Sequence, residues 1–255
     1  MASTSETGHA KNVANFNNLI HLLYGMGTLY NPATDNLQLN NLRAQHTNAL
    51  LAIDEVKKQK AGYDAAVNTR ADLFNKIPRL ITRISATLKA NAIPAKDLDD
   101  AAGYIAKLRG ARRGKPVNRA GTATNPDQPA PNTVSAVQLS FDQQLDSMSK
   151  LYHQIGQLPG YLTNDTDLSK PALATFIKSL TEANETVSAH TRDLREARLT
   201  RDKALYDPVA GLVVTAGSIK NYLKSLPGGN SNPDYKTSVK LKFKLLSETL
   251  RPEAG

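Results

Sequence analysis

Six cationic side chains, Lys107, Arg109, Arg112, Arg113, Lys115 and Arg119, stand between Asp100 and Asp127 with no acidic residue among them. Clustered cations of this kind neutralise phosphates and release counterions, which suits nucleic acid or another polyanion. They also suit an anionic lipid surface. The imbalance is concentrated, because the chain carries a formal charge of +9 and would carry +3 without these six. No aromatic residue interrupts the stretch, so contacts would fall on backbone phosphates rather than on stacked bases. The competing reading is a basic loop that binds nothing. Lys236, Lys240, Lys242 and Lys244 extend the basic set. They alternate with Val239, Leu241 and Phe243, which reads as a buried apolar edge with lysine stems lying along it.

Other residues with chemical potential read as structural. Arg70 and Arg201 fall in the apolar stripes of long predicted helices, where a buried guanidinium needs a partner. A structural ion pair with Asp or Glu of a facing helix is the expectation for both, and the neighbouring Asp64, Asp72 and Asp202 do not decide it. The histidines His9, His21, His46, His153 and His190 lack metal-ligand spacing. Glu6-Thr-Gly-His9 is the chain's Glu-x-x-His and sits in a segment read as flexible, without the paired inward motifs of a di-iron bundle. His46 and His190 read as hydrogen-bonded residues at the edge of a stripe. Asn164-Asp-Thr-Asp-Leu-Ser-Lys170 resembles a calcium loop but lacks Gly at its sixth position and a closing Glu, and so reads as a capping turn. Asp97, Asp99 and Asp100 suit a helix start. Gly25-Met-Gly27 lacks the strand and third Gly of a dinucleotide site. No Walker loop, Gly-x-Ser-x-Gly elbow or His-Glu-x-x-His occurs. With no cysteine, disulfides, thiolate metal sites and a Cys nucleophile are excluded.

The elements that carry these residues are helical by pattern. Aromatic residues make up 5% of the chain, with no Trp, which disfavours sheets. Phe16, Ile20, Leu23 and Tyr30, widened by Leu19 and Leu22, open an amphipathic helix from Asn12; Asn31-Pro32 and Asp35-Asn36 interrupt it. Steps of three and four then run Leu39, Leu42, His46, Ala49, Ile53, Val56, Lys60, Tyr63, Val67, Arg70, Phe74, Ile77, Ile81, Ile84, Leu88, predicting one long helix of roughly 50 residues with a break at Pro78. Ile93-Pro94 turns the chain into a shorter helix ending near Arg109. Residues 110–134 carry prolines and glycines without periodicity and read as a linker, followed by a Ser135-Ala-Val-Gln138 capping box.

The second half repeats this order. Phe141, Leu145, Met148, Tyr152 and Ile155 open it, and Leu158-Pro159-Gly160 ends that helix. A weaker stripe follows: Leu173, Phe176, Leu180, Ala183, Val187, His190, Leu194, Ala197, Arg201, Ala204. Tyr161 and Arg201 stand 131 residues after Tyr30 and Arg70. Leu205-Tyr206-Asp207 matches Leu73-Phe74-Asn75, and Leu212-Val-Val214 matches Leu80-Ile-Thr82, at 132. Asp207-Pro208 reads as the cap of a new helix, ended by Gly228-Gly229, and Asn232-Pro233 as the cap of a last one through Lys244.

Asn12-Val-Ala-Asn-Phe16, the Tyr30-Asn-Pro32 turn, Asn68-Thr-Arg70 and Tyr235-Lys-Thr-Ser-Val-Lys-Leu-Lys-Phe243 together resemble an uncharacterised family of similar length that recurs in Bacteroidetes genomes. The resemblance covers nearly the whole chain. It implies an all-helical, duplicated fold and carries no activity, cofactor or site residues.

The reading is an all-α, elongated antiparallel bundle of two tandem diverged modules with Pro-broken helices. Residues 1–11 form a flexible N-terminus, 12–109 module 1, 110–134 the basic linker, 135–250 module 2 and 251–255 a tail. The expected role is a non-enzymatic scaffold that binds nucleic acid or another polyanion through the linker and self-associates through helix faces, with no cofactor, metal or small-molecule substrate. The alternative is a membrane-active helical protein. It rests on Val209-Ala-Gly-Leu-Val-Val-Thr-Ala-Gly217, an apolar run whose competing explanation is a helix crossing made close by Gly211 and Gly217. That run is about half the ~20 residues of a membrane span. The start of the chain lacks the pattern of a secretory signal, so the cytoplasm is the expected compartment.

Overall fold

The computed structural model describes residues 4–91, 93–110 and 140–245. Among the described residues the chain is all-α, with eight α-helices, four short 3-10 turns and no strand. Helix α1 (Thr4–Gly25) starts well before Asn12, so the segment read as a flexible N-terminus is largely helical. Two residues past its end stands Gly27, whose φ of +56° is a conformation open chiefly to glycine. After a 3-10 turn at Asp35–Leu37, α2 (Leu39–Phe74) and α3 (Ile77–Ala90) follow; α4 is Ala95–Leu108. The predicted break falls just ahead of Pro78, which sits in the first turn of α3, where its missing N–H costs nothing. Then come α5 (Phe141–Gly156), a 3-10 turn at Thr166–Leu168, α6 (Lys170–Tyr206), α7 (Leu212–Ser225) and α8 (Pro233–Lys240).

The start of α5 differs from expectation. Ser140 is its cap, its side chain accepting from the Gln143 N–H, so Ser140-x-x-Gln143 occupies the role assigned to Ser135-x-x-Gln138, which lies outside the described residues. Pro208 does not open α7 either. Asp207 Oδ1 accepts the N–H groups of Val209 and Ala210 at 2.9 and 2.8 Å, closing a turn, and the helix begins only at Leu212. The last helix stops at Lys240 rather than Lys244; Leu241 takes an extended conformation, and the segment through Leu245 follows without helix.

Buried side chains repeat at constant offset. Leu42, Ala52, Val56, Ala66 and Phe74 are matched by Leu173, Ala183, Val187, Ala197 and Leu205, each 131 residues later. The register therefore does not slip to 132 at Phe74: Leu205, not Tyr206, is its buried counterpart. In the next helices Ile77, Ile81, Ile84 and Leu88 correspond to Leu212, Ala216, Ile219 and Leu223, an offset of 135, with the turn around Pro208 taking up the difference. This replaces the match of Leu212 to Leu80, because the side chains facing the core, and not the resemblance of letters, set the register.

The chain divides into two compact units, and they do not follow its two halves. One comprises Met1–Tyr63 with His190–Gly255, the other Asp64–Ala189. In the first, Phe16, Leu19, Leu23 and Leu42 share a core with Leu205, Leu212, Ile219 and Leu223; α7 packs on α1, α8 and the Asp35–Leu37 turn. Val56 and Tyr63 of α2 meet Leu194 and Ala197 of α6 in the same unit. In the second, Ile81, Ile84, Leu88 and Ile105 share a core with Met148, Leu151, Ile155 and Leu173, and α4 lies between α3 and α5. Each fully buried Leu, Ile or Phe contributes about 1.5–3 kcal/mol, so neither half retains its core without the other.

One hydrogen bond recurs in both units. The Tyr30 hydroxyl donates to the Leu37 carbonyl at 2.7 Å, and the Tyr161 hydroxyl to the Leu168 carbonyl at 2.9 Å. Each ties the loop ahead of a long helix to its 3-10 turn. Burial, then the facing Tyr222, pushes the Tyr30 phenol well above its ordinary range; burial, then Asp165, raises that of Tyr161. The fold favours the neutral phenol, so this stabilisation is complete below the unfolded-state value of about 10 and is lost as pH rises past it. Tyr30→Phe and Tyr161→Phe are each expected to cost about 1–2 kcal/mol in urea denaturation at neutral pH, by stranding a buried carbonyl. Together they should flatten the alkaline limb of stability against pH. An unchanged limb in the double variant would contradict the assignment.

Candidate functional site

Basic residues gather on the α7–α8 end of the first unit. Between Val209 and Leu245 the lysines are Lys220, Lys224, Lys236, Lys240, Lys242 and Lys244, against Asp234 as the one acidic residue. Lys236 and Lys240 lie exposed on α8. The segment after it alternates: Leu241 and Phe243 are half-buried against the core, while Lys242 and Lys244 are exposed. Strand-like alternation therefore prevails over the helix expected through Lys244, while the buried apolar edge expected from the spacing holds for Leu241 and Phe243. Val239, expected in the buried edge, is 37% exposed.

Side chains of α1 and α7 hold this segment by its backbone. Asn12, wholly buried, donates to the Lys244 carbonyl and accepts from the Lys244 N–H, both at 2.8 Å. Asn15 donates to the Lys242 carbonyl at 2.6 Å, and Lys220 Nζ to the Leu241 carbonyl at 2.6 Å while lying 4.9 Å from the Phe243 ring centre. Burial, then the charge of Lys242, lowers the Lys220 ammonium below its ordinary range. Sequence reasoning passed over Asn12, Asn15 and Lys220. One signal was present, since Asn12 stands one helical turn before Phe16 on the apolar stripe, and a polar residue there needs a buried partner.

Of the cationic residues singled out first, Lys107 and Arg109 are exposed at the C-terminal end of α4, where the helix dipole favours them. Lys107 Nζ lies 5.6 Å from the ring centre of Tyr104. Arg112, Arg113, Lys115 and Arg119 lie outside the described residues, as does the rest of the predicted linker beyond Gly110.

The two stripe arginines diverge. Arg201, 5% exposed, pairs with Asp202, its chain neighbour, Nη2 to Oδ1 at 2.8 Å and Nε to Oδ1 at 2.9 Å. Arg70 departs from the expected ion pair. Its guanidinium lies 4.1 Å from the centre of the Phe141 ring, and its buried Nε has no hydrogen-bond partner among the described residues. A planar, weakly hydrated guanidinium stacks on an aromatic face at a lower desolvation cost than a compact ammonium.

His9 is no tail residue. It is buried in α1, its Nδ1 2.7 Å from the Tyr206 hydroxyl, which also accepts from Asn12 at 3.2 Å. His190 packs against Gly62, and its Nδ1 is buried without a hydrogen-bond partner among the described residues, unlike the bonded edge position expected. Burial, then His21, holds the His46 imidazole below its ordinary value. Among the described residues no cluster of three or more His, Asp or Glu could hold a metal ion. Glu55, Asp193 and Glu196 instead line an open cleft of about 300 Å³ with Gln59 and Thr200. In the calcium-like loop Asp165 accepts from the Asp167 N–H and pairs with Arg83. That is a capping and bridging role, and it lowers the Asp165 carboxyl below the usual range through the Arg83 bond first and the Asp167 N–H second.

The apolar run from Val209 to Gly217 splits. Val209 is exposed, whereas Leu212 and Ala216 are fully buried. Gly211 is crowded by the backbone of Tyr206 and Asp207, within its own turn rather than at a helix crossing, and Gly217 has nothing within 4 Å of where a Cβ would stand. Among the described residues no helix is long and apolar enough to cross a membrane.

No family model, curated protein or solved structure matches this chain.

Proposed function

We propose that the protein is a non-enzymatic scaffold, built by duplication of one helical module, that engages a polyanion such as nucleic acid through basic surfaces following the last helix of each module. The observation that carries this reading is the α8 surface. There Leu241 and Phe243 anchor an extended segment while Lys242 and Lys244, with Lys236 and Lys240, face solvent beside a single acidic residue. Lys107 and Arg109, exposed at the end of α4, are the described part of the corresponding surface in module 1. The recurrence of the Tyr30–Leu37 and Tyr161–Leu168 hydrogen bonds at one offset supports the duplication.

Exposed lysines whose neighbouring aromatics, Tyr235 and Phe243, are packed against the core recognise charge density rather than base identity. Binding is therefore expected to be insensitive to sequence and steep in salt. Fluorescence anisotropy with a labelled DNA duplex across a salt series tests it. Replacing Lys236, Lys240, Lys242 and Lys244 by Gln should weaken binding at low salt and reduce the slope of log K against log salt by about 3–4, at roughly 0.9 per phosphate contact. Absence of binding at low ionic strength, or an unchanged slope in the variant, would remove the polyanion from the proposal.

A further inference from the structure

The contacts that hold Leu241–Leu245 have an unusual feature in common: every polar one is made to the main chain. Asn12 uses its carboxamide as a neighbouring strand would use its backbone, giving an N–H to the Lys244 carbonyl and taking the Lys244 N–H on its oxygen. Asn15 and Lys220 take the carbonyls of Lys242 and Leu241. The side chains sort by position, with Leu241 and Phe243 against the core and Lys242 and Lys244 in solvent. This is the division of labour of an extended-peptide site, in which main-chain bonds give affinity and alternate apolar side chains give the pattern. Asn12 has no exposure at all and sits on the apolar stripe of α1, so its burial is tolerable only while both amide groups are satisfied.

We infer that the groove between Asn12 and Asn15 of α1 and Lys220 of α7 is a binding site for an extended peptide with apolar residues at alternate positions. In this state the chain's own Leu241–Leu245 fills it, and the same segment of a second copy is its ligand in exchange. The second copy is the occupant because this segment is the sequence the groove is seen to accept. It also lies outside the described helices, held by the four hydrogen bonds above and by the packing of Leu241 and Phe243. Exchange of such an element between copies is a low-cost route to association. The inference is independent of polyanion binding, since the groove meets the backbone and the lysines face away from it.

Displacement tests it in the full-length chain. Leu245 is 75% exposed and the protein has no cysteine, so Leu245→Cys accepts one environment-sensitive dye without touching the groove. A capped synthetic peptide of residues Val239–Leu245 is titrated in. A tethered segment competes at an effective concentration of about millimolar, so half-displacement is expected near that peptide concentration. N-methylation at the peptide's Lys244 position removes the N–H that Asn12 accepts and should weaken displacement at least tenfold. N-methylation at Lys242, whose N–H takes part in no hydrogen bond among the described residues, should not. Replacing both peptide lysines by Gln should leave displacement intact, and replacing Leu241 and Phe243 by Ala should abolish it. No displacement by several millimolar peptide, or equal effects of the two N-methyl peptides, would overturn the site. Loss of displacement in the Gln peptide would reduce it to charge attraction.

Discussion

A single cut introduced between Gly110 and Ser140 is expected to leave the two fragments bound to each other through gel filtration at micromolar concentration, parting only in denaturant. The reason lies in how the cores are composed. Ile81, Ile84 and Leu88 are buried in the cluster that Met148, Leu151 and Ile155 complete, and Phe16, Leu19 and Leu23 share their core with Leu212, Ile219 and Leu223. Separation would uncover both clusters at once, at about 1.5–3 kcal/mol for each large side chain, which far exceeds the translational freedom regained. The cut turns a unimolecular unfolding into a bimolecular one. The urea midpoint should therefore rise with protein concentration in the cut form and stay constant in the intact chain. Fragments that elute separately and keep their helicity would show that each half carries a core of its own, and the interleaved units would be wrong.

Among the described glycines, Gly211→Ala should be the most damaging change, while Gly217→Ala, six positions on, should stabilise the protein. A Cβ at Gly211 would stand 2.5 Å from both the amide nitrogen and the carbonyl oxygen of Asp207 and 2.9 Å from the Tyr206 carbonyl carbon. All three are backbone atoms, in a turn already fixed by the Gly211 N–H to Asp207 carbonyl bond at 2.9 Å and by the two bonds to the Asp207 carboxylate. No side chain can swing aside, so the turn must open, at about 3 kcal/mol or more. At Gly217 the position is exposed and helical with open space around it, and Ala there should add about 0.5–1 kcal/mol through helix propensity. Urea denaturation of the two variants at constant m-value measures both. Equal and small effects would mean that the turn at Tyr206–Gly211 is more pliant than its geometry states.

The Asp207 carboxyl is held below its usual range by the N–H of Ala210 first and of Val209 second. The stabilisation this turn contributes is therefore present above the unfolded-state carboxyl value of about 4 and fades as pH falls through the lower folded one.

Much of this architecture was written locally. Phe16, Leu19 and Leu23, or Leu173, Leu180, Val187 and Leu194, recur at helical steps because a helix turns every 3.6 residues regardless of what covers it. Pro78 and Pro94 announced the breaks by the same local chemistry. The basic character of the α8 end was visible too, in lysines alternating with Leu241 and Phe243. The places where letters misled are those where a distant contact prevails over local pattern. Lys240 to Lys244 reads as helix until Asn12 and Asn15 draw the backbone straight, and Arg70 reads as half of an ion pair until Phe141 arrives from the other half of the chain.

What the residues determined unaided is the set of helices and most of their breaks, since each depends on neighbours within a turn or two; the offset between matching core positions was fixed only by burial. Which halves share a core, where Leu241–Leu245 lies and what meets each buried polar group were decided only in three dimensions. Those choices rest on residues up to 232 positions apart, as with Asn12 and Lys244. An apolar stripe demands cover without naming its source, whereas a carboxamide buried at one fixed spot admits a single backbone partner.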